Sequence, residues 1–196
     1  MVKAEKNEEG QLVADNGVTY NRVPIGYQPV SQGEEYGVIK GVLEEKLYCV
    51  GSFDPKEWLT TESAGMATGV YCKEGIEIPA LSELEPDLCY ICQVGENVFS
   101  VYTLGDADNG ALDKEKGKIE KIVEMLLDES VEAEMWPRYS DETYSLMFYS
   151  ENWPTLYYCV DYMRESGGNY VYDYASKKCI NVGDLLEEYF GDAETE

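Results

Sequence analysis

One stretch of this chain keeps a helical period for several turns, and that single stretch limits the architectures open to it. Across Asp113 to Leu127, the residues Ile119, Ile122, Val123, Leu126 and Leu127 recur at the i, i+3, i+4, i+7, i+8 spacing of one buried helical face. Lys114, Lys116, Lys118 and Lys121 fall on the outer surface of that helix. Most of the remaining chain from Val18 onward breaks into short runs rich in β-branched and aromatic residues, which predict strands. These runs are Val18 to Tyr20, Tyr36 to Leu43, Lys46 to Gly51, Gly69 to Lys73, Leu88 to Val94 and Val98 to Leu104. After the helix come Thr143 to Tyr149, Leu156 to Tyr162, Tyr170 to Tyr174 and Lys178 to Val182. Glu44-Glu45, Gly95-Glu96-Asn97 and Ala175-Ser176-Lys177 supply the turns between neighbouring runs. Asp54 before Pro55 suits an N-cap and first helical position, so a single helical turn is expected through Leu59. Leu185 to Phe190 reads as a short amphipathic C-terminal helix.

The expected fold class is therefore α+β, with antiparallel β-sheet meanders packed on one central amphipathic helix and a short helix at the C-terminus. Residues 1–16 offer few apolar side chains to offset ordering entropy and are expected to be disordered. Residues 17–190 form a single α+β domain in this reading, and 191–196 a frayed acidic tail.

Charge narrows the partners. Fifteen basic residues face 39 acidic ones, for a formal net charge of -24. A field of that sign repels phosphate backbones and anionic headgroups, so neither nucleic acid nor a membrane surface is an expected partner. Self-repulsion favours a monomer. No stretch reaches the ~20 consecutive apolar residues of a membrane-spanning helix. The opening MVKAEKNEEG has no apolar core of a signal peptide, yet it matches the flexible spacer left when a leader is replaced by an initiator Met.

Histidine is absent. Ser-His-Asp and Cys-His catalysis are thereby excluded, as is any zinc site with an imidazole ligand. Cys89 and Cys92 form a Cys-x-x-Cys, but on a strand an offset of three sends the two thiols to opposite faces. The other four cysteines stand alone, so the six are read as buried, reduced side chains, with disulfides open to an exported chain. Asp106, Asp108, Asn109 and Asp113 cluster as a hard cation would require, but Gly110 and Gly117 sit at the wrong positions for a calcium loop. A polar turn with Asp113 capping the helix accounts for the same residues, and no metal is expected. No nucleotide loop or nucleophile elbow occurs, and no cofactor is expected.

Seventeen Tyr, three Trp and four Phe raise the question of a recognition surface. Trp136 and Trp153 adjoin Pro137 and Pro154 in expected loops, and with Tyr139 they are the candidate binding residues. Such rings lose little rotamer entropy on binding and suit a protein or carbohydrate ligand. Tyr36 to Lys40, Lys46 to Leu59 and Val70 to Glu74 together resemble a hairpin, short turn and strand of uncharacterised exported or lipoprotein-like domains of Gram-positive bacteria. The resemblance covers about a fifth of the chain; it implies an extracytoplasmic setting and carries no known activity. The functional expectation is a non-catalytic binding or accessory module using a sheet face or the loops around Trp136 and Trp153. The alternative is an acidic inhibitor or immunity-type protein that blocks a basic partner.

Overall fold

The computed structural model describes residues 1–41, 43–61, 69–93, 100–103, 112–132, 134, 142–165 and 167–189. Contacts divide the chain into two compact units, Met1–Pro79 with Pro154–Tyr157, and Ala80–Trp153 with Tyr158–Glu196. The sequence reading placed one domain over 17–190.

The first unit carries β1 (Val2–Lys6), β2 (Leu12–Ala14), β3 (Thr19–Arg22), β4 (Tyr27–Pro29), β5 (Gln32–Lys40), β6 (Glu45–Val50), β7 (Trp58–Thr61) and β8 (Val70–Lys73). Seven of these close into a barrel in the order β1-β2-β3-β8-β7-β6-β5. Every neighbouring pair is antiparallel except the seam, where β1 runs parallel to β5 with Val2 opposite Gly37 and Ala4 opposite Ile39. The seam demands a glycine. A Cβ at Gly37 would stand 2.2 Å from the Val2 carbonyl oxygen, inside any tolerable contact. Register shifts between Gln32 and Gly37 bend β5 where it must pair on both sides.

Closure explains how a polar segment orders. Residues 1–16, expected to be disordered, instead contribute β1 and β2. Alternation turns Ala4, Leu12 and Ala14 into a core with Tyr20, Ile39, Leu47, Leu59 and Tyr71, while Lys3 and Glu5 face outward. The outward charges pair across the seam region, Lys40 with Glu5 and Lys6 with Glu45, each at 3.0 Å. A barrel strand needs only one apolar face, and closure satisfies its backbone on both edges. Asp54 behaves partly as expected: its carboxylate accepts from the Lys56 amide at 2.9 Å and its carbonyl from Glu57 and Trp58. The turn stops there, and Trp58 and Leu59 enter β7.

The second unit holds β9 (Leu88–Gln93), β10 (Ser100–Thr103), α1 (Leu112–Leu127), β11 (Glu142–Tyr149), β12 (Leu156–Glu165), β13 (Gly168–Asp173) and β14 (Lys178–Asn181). Its sheet runs β10-β9-β11-β12-β13-β14, with the first residues of β12 counting in the other unit. Ile91, Leu146, Phe148, Val160, Tyr162, Val171 and Ile180 are fully buried on one face. Lys178 shares that face by strand alternation with Ile180, and its ammonium donates to the carbonyls of Met125, Leu126 and Asp128. This cation caps the C-terminus of α1, whose own last turn has no basic residue. Ile119, Ile122, Val123 and Leu126 are buried, as the helical period required, whereas Leu127, expected on the same face, is exposed at the end of the helix.

The expected α+β architecture is corrected. Among the described residues the fold is mostly β, with 48% in strands, a closed seven-stranded barrel, and α1 as the one α-helix. Helical period marks α1 but says nothing about the other half of the chain, whose strands close on themselves instead of on a helix. The C-terminal segment forms a 3-10 turn at Glu187–Tyr189, and 191–196 lie outside the described residues. No helix among the described residues is long and apolar enough to cross a membrane.

A candidate binding face on the second sheet

Strand alternation gives the second sheet two unlike faces. Residues opposite each other across β9 and β11 are Ser145 with Cys92, Leu146 with Ile91, Met147 with Tyr90 and Phe148 with Cys89. Leu146, Ile91, Phe148 and Cys89 therefore go to the apolar core, while Ser145, Cys92, Met147, Tyr90 and Tyr149 turn to the other face. In β12 and β13, Asp161 lies opposite Tyr172 and Met163 opposite Tyr170, extending this second face. Cys89 and Cys92 thus stand on opposite sides of the sheet, as their spacing predicted.

Two aromatic pairs anchor the face. Tyr90 and Tyr149 meet edge to face at 5.1 Å and 88°, and the Tyr149 hydroxyl donates to Met147 Sδ at 3.8 Å. Cys92 Sγ lies 3.8 Å from the same sulfur. Tyr172 and Tyr174 form the second pair at 4.9 Å and 83°. The Tyr174 hydroxyl donates to Asp161 Oδ2 at 2.6 Å. Asp161 is only 4% exposed, and its Oδ1 is buried with no hydrogen-bond partner. Between the pairs lies Cys159, whose thiol is bonded to Ser145.

Apart from the Asp161 carboxyl, the titratable groups of this face are held in their neutral forms. Burial pushes the Cys159 thiol up to about 12, with the Asp161 carboxylate adding to the shift. Burial likewise raises Cys92, and takes Tyr149 up to about 12. It holds the Asp161 carboxyl above its usual range, opposed by the hydrogen bond from Tyr174. A thiol so shifted is protonated at neutral pH and is a poor nucleophile. What remains is a surface of half-buried rings, hydroxyls and sulfur, built to stack and to hydrogen-bond. All six cysteines are unpaired, and Cys179 is also raised by burial, to about 11.

A second polar cluster links its members to one another. Arg164 donates through Nη1 to Glu142 at 2.7 Å, and through Nε and Nη2 to Glu187 at 3.2 and 3.0 Å. Asn169 and Tyr162 also donate to Glu187, and Tyr144 donates to Glu142. The guanidinium beside Glu187 holds that carboxyl below its ordinary value. Such a bidentate network ties β11, β12, β13 and the terminal 3-10 turn together.

Of the candidate residues read from sequence, Trp153 lies half-buried between β11 and β12, its amide donating to the Ser150 carbonyl at 3.0 Å. Trp136 and Tyr139 lie outside the described residues, as does the Asp106 to Asn109 loop. Sequence reasoning missed the tyrosine face. Its signal was present as alternate positions, Tyr170, Tyr172 and Tyr174, but only pairing register shows that these rings share a face with Tyr149 and Tyr90. Among the described residues no group of three or more His, Cys, Asp or Glu could hold a metal ion. Compared with known proteins, the chain matches no family model, no curated protein and no solved structure.

Proposed function

We propose that this chain is a non-catalytic binding module and that the tyrosine face of the second sheet is its ligand surface. The observation that carries the reading is the two edge-to-face tyrosine pairs on one sheet face, with the partnerless Asp161 oxygen beneath the second pair. Buried acceptors without donors are costly and persist where something other than stability maintains them. Rigid rings with polar rims favour a carbohydrate or protein ligand that is uncharged or cationic, because a net charge of -24 opposes anions. The extracytoplasmic setting implied by the resemblance belongs to the same proposal.

The test is a calorimetric titration with neutral oligosaccharides and with basic proteins, comparing the parent with a Tyr149→Ala, Tyr172→Ala double variant and with Trp153→Ala. Saturable binding by the parent that the double variant loses, with an unchanged far-UV spectrum, supports the face. Equal binding by parent and double variant refutes it.

A second reading is favoured by the charge alone: an acidic inhibitor that holds a basic protein. It requires association that slows steeply as salt rises, whereas stacking on tyrosines depends weakly on salt.

A further inference from the structure

Within the second unit, the 3-10 turn Leu81–Glu83 packs beside α1 and leaves a groove of about 400 Å³ between them. Leu81, Val123 and Leu127 give the groove an apolar floor, and Glu85, Glu120 and Glu124 give it an acidic rim. The helix contributes both in register: Val123 and Leu127 form one i, i+4 row, Glu120 and Glu124 the next. Leu127 is 46% exposed, an apolar side chain left at the surface at the end of the floor. Glu85 holds φ at 48°, a left-handed conformation unfavourable for a non-glycine residue, and Asn152 donates to its carboxylate.

Among the described residues no basic side chain lines the groove. Lys118 of α1 and Lys178 of β14 are engaged away from the groove. Lys118 sits 4.5 Å over the Tyr189 ring and donates to its hydroxyl, and Lys178 caps the helix. Three carboxylates around an apolar floor, on a chain of charge -24, repel anions and a second copy of the same acidic surface. The volume lies toward the low end of the roughly 300–1,000 Å³ of ligand pockets, room for a few side chains.

We propose that this groove docks a cationic segment of a partner protein. An apolar side chain enters over Val123 and Leu127, while flanking Lys or Arg side chains meet Glu85, Glu120 and Glu124. The inference rests on the second reading above and gives it a location; it is independent of the tyrosine face. Helical anchoring of this kind combines buried apolar contact for affinity with rim charge for rate and partner choice.

The experiment uses the full chain and three synthetic peptides of about 15 residues, long enough to form a helix on contact. One is built from Leu and Lys, one from Ser and Lys with the same charge, and one from Leu and Glu. Amide shifts of the parent are followed on titration, and affinities are measured for Leu127→Ser and for the pair Glu120→Lys, Glu124→Lys. The Leu/Lys peptide is expected to saturate with shifts centred on Val123, Glu124 and Leu127. The charge-reversed pair should weaken it about tenfold or more, and Leu127→Ser about fivefold. Equal affinity of the parent for the Ser/Lys peptide, or variants that bind like the parent, overturns the groove while leaving diffuse charge attraction standing. A parent that binds neither cationic peptide overturns the groove and the inhibitor reading together. Binding of the Leu/Glu peptide as tightly as Leu/Lys removes the charge argument. The shift map requires no variant, so loss of folding in any substituted chain does not leave the proposal undecided.

Discussion

The two units solve the problem of the sheet edge in opposite ways. In the barrel, β1 closes on β5 and the core is filled by aliphatic and tyrosine side chains, with paired charges outside. The second sheet keeps an open order from β10 to β14 and buries Asp161 and Asp173 within it. Asp173 is fully served, accepting from Tyr158, Ser176 and the amide of Ala175. Asp161 is not. A closed barrel leaves little unsatisfied and little to offer a partner through its backbone. The second unit carries a buried acceptor without a donor, half-buried rings and an acidic groove beside α1, and so holds both proposed recognition surfaces.

The largest expected effect tests closure. Gly37→Ala forces a Cβ against the Val2 carbonyl and should cost about 3 kcal/mol, read as a lower urea midpoint. Amide exchange should quicken at Ile39 and leave Val160 protected. Equal loss at both positions would break the contrast between the units.

Next is the ion-pair network of the second unit. Arg164→Met leaves Glu142 and Glu187 without their guanidinium and should cost about 2 kcal/mol at pH 7, between the ranges for surface and buried pairs. Because the folded Glu187 titrates below its unfolded value, its contribution is complete above about pH 4.3 and fades as pH falls through the folded value. The gap between parent and variant should therefore narrow in acid. A gap constant from pH 7 to pH 3 would contradict the assigned pairing.

Asp161 has the opposite sign. Its folded carboxyl is raised, so the unfolded chain ionises first as pH climbs past about 3.9, and native stability declines until the folded group follows. Asp161→Asn should stabilise the protein by about 1.5 kcal/mol at pH 8 and by nothing near pH 3, in denaturant titrations at both values. Destabilisation at pH 8 would show that Oδ1 of Asp161 has a partner after all.

The smallest effect concerns the helix cap. Lys178→Met removes the donor to the last carbonyls of α1 and should lower stability by about 1 kcal/mol, with faster exchange in the final turn of the helix. No change would mean that solvent serves those carbonyls equally well.

Local chemistry was legible where one segment contains its own reason. The helical period from Ile119 to Leu127 located α1, alternation and β-branching located most strands, and the Cys89–Cys92 spacing on a strand placed the two thiols on opposite faces. Asp54 announced its turn, though not that Trp58 would leave it as a strand. Of the recognition surface, individual tyrosines and Trp153 could be named, but not the face they share.

What the sequence determined alone was the type of those elements that carry their own period, such as α1 and the central strands, together with net charge and the absence of imidazole, because each depends on residues near one another or on a simple count. Tertiary structure decided that Val2–Lys6 is a strand, that Gly37 seals a barrel, that Tyr90 and Tyr149 meet across strands, and that Glu85 joins Glu120 and Glu124 on one rim. Those outcomes depend on register and closure between segments far apart in the chain. A strand with one Ala facing inward is indistinguishable from a polar tail until its partner strands arrive to bury that Ala and pair its backbone.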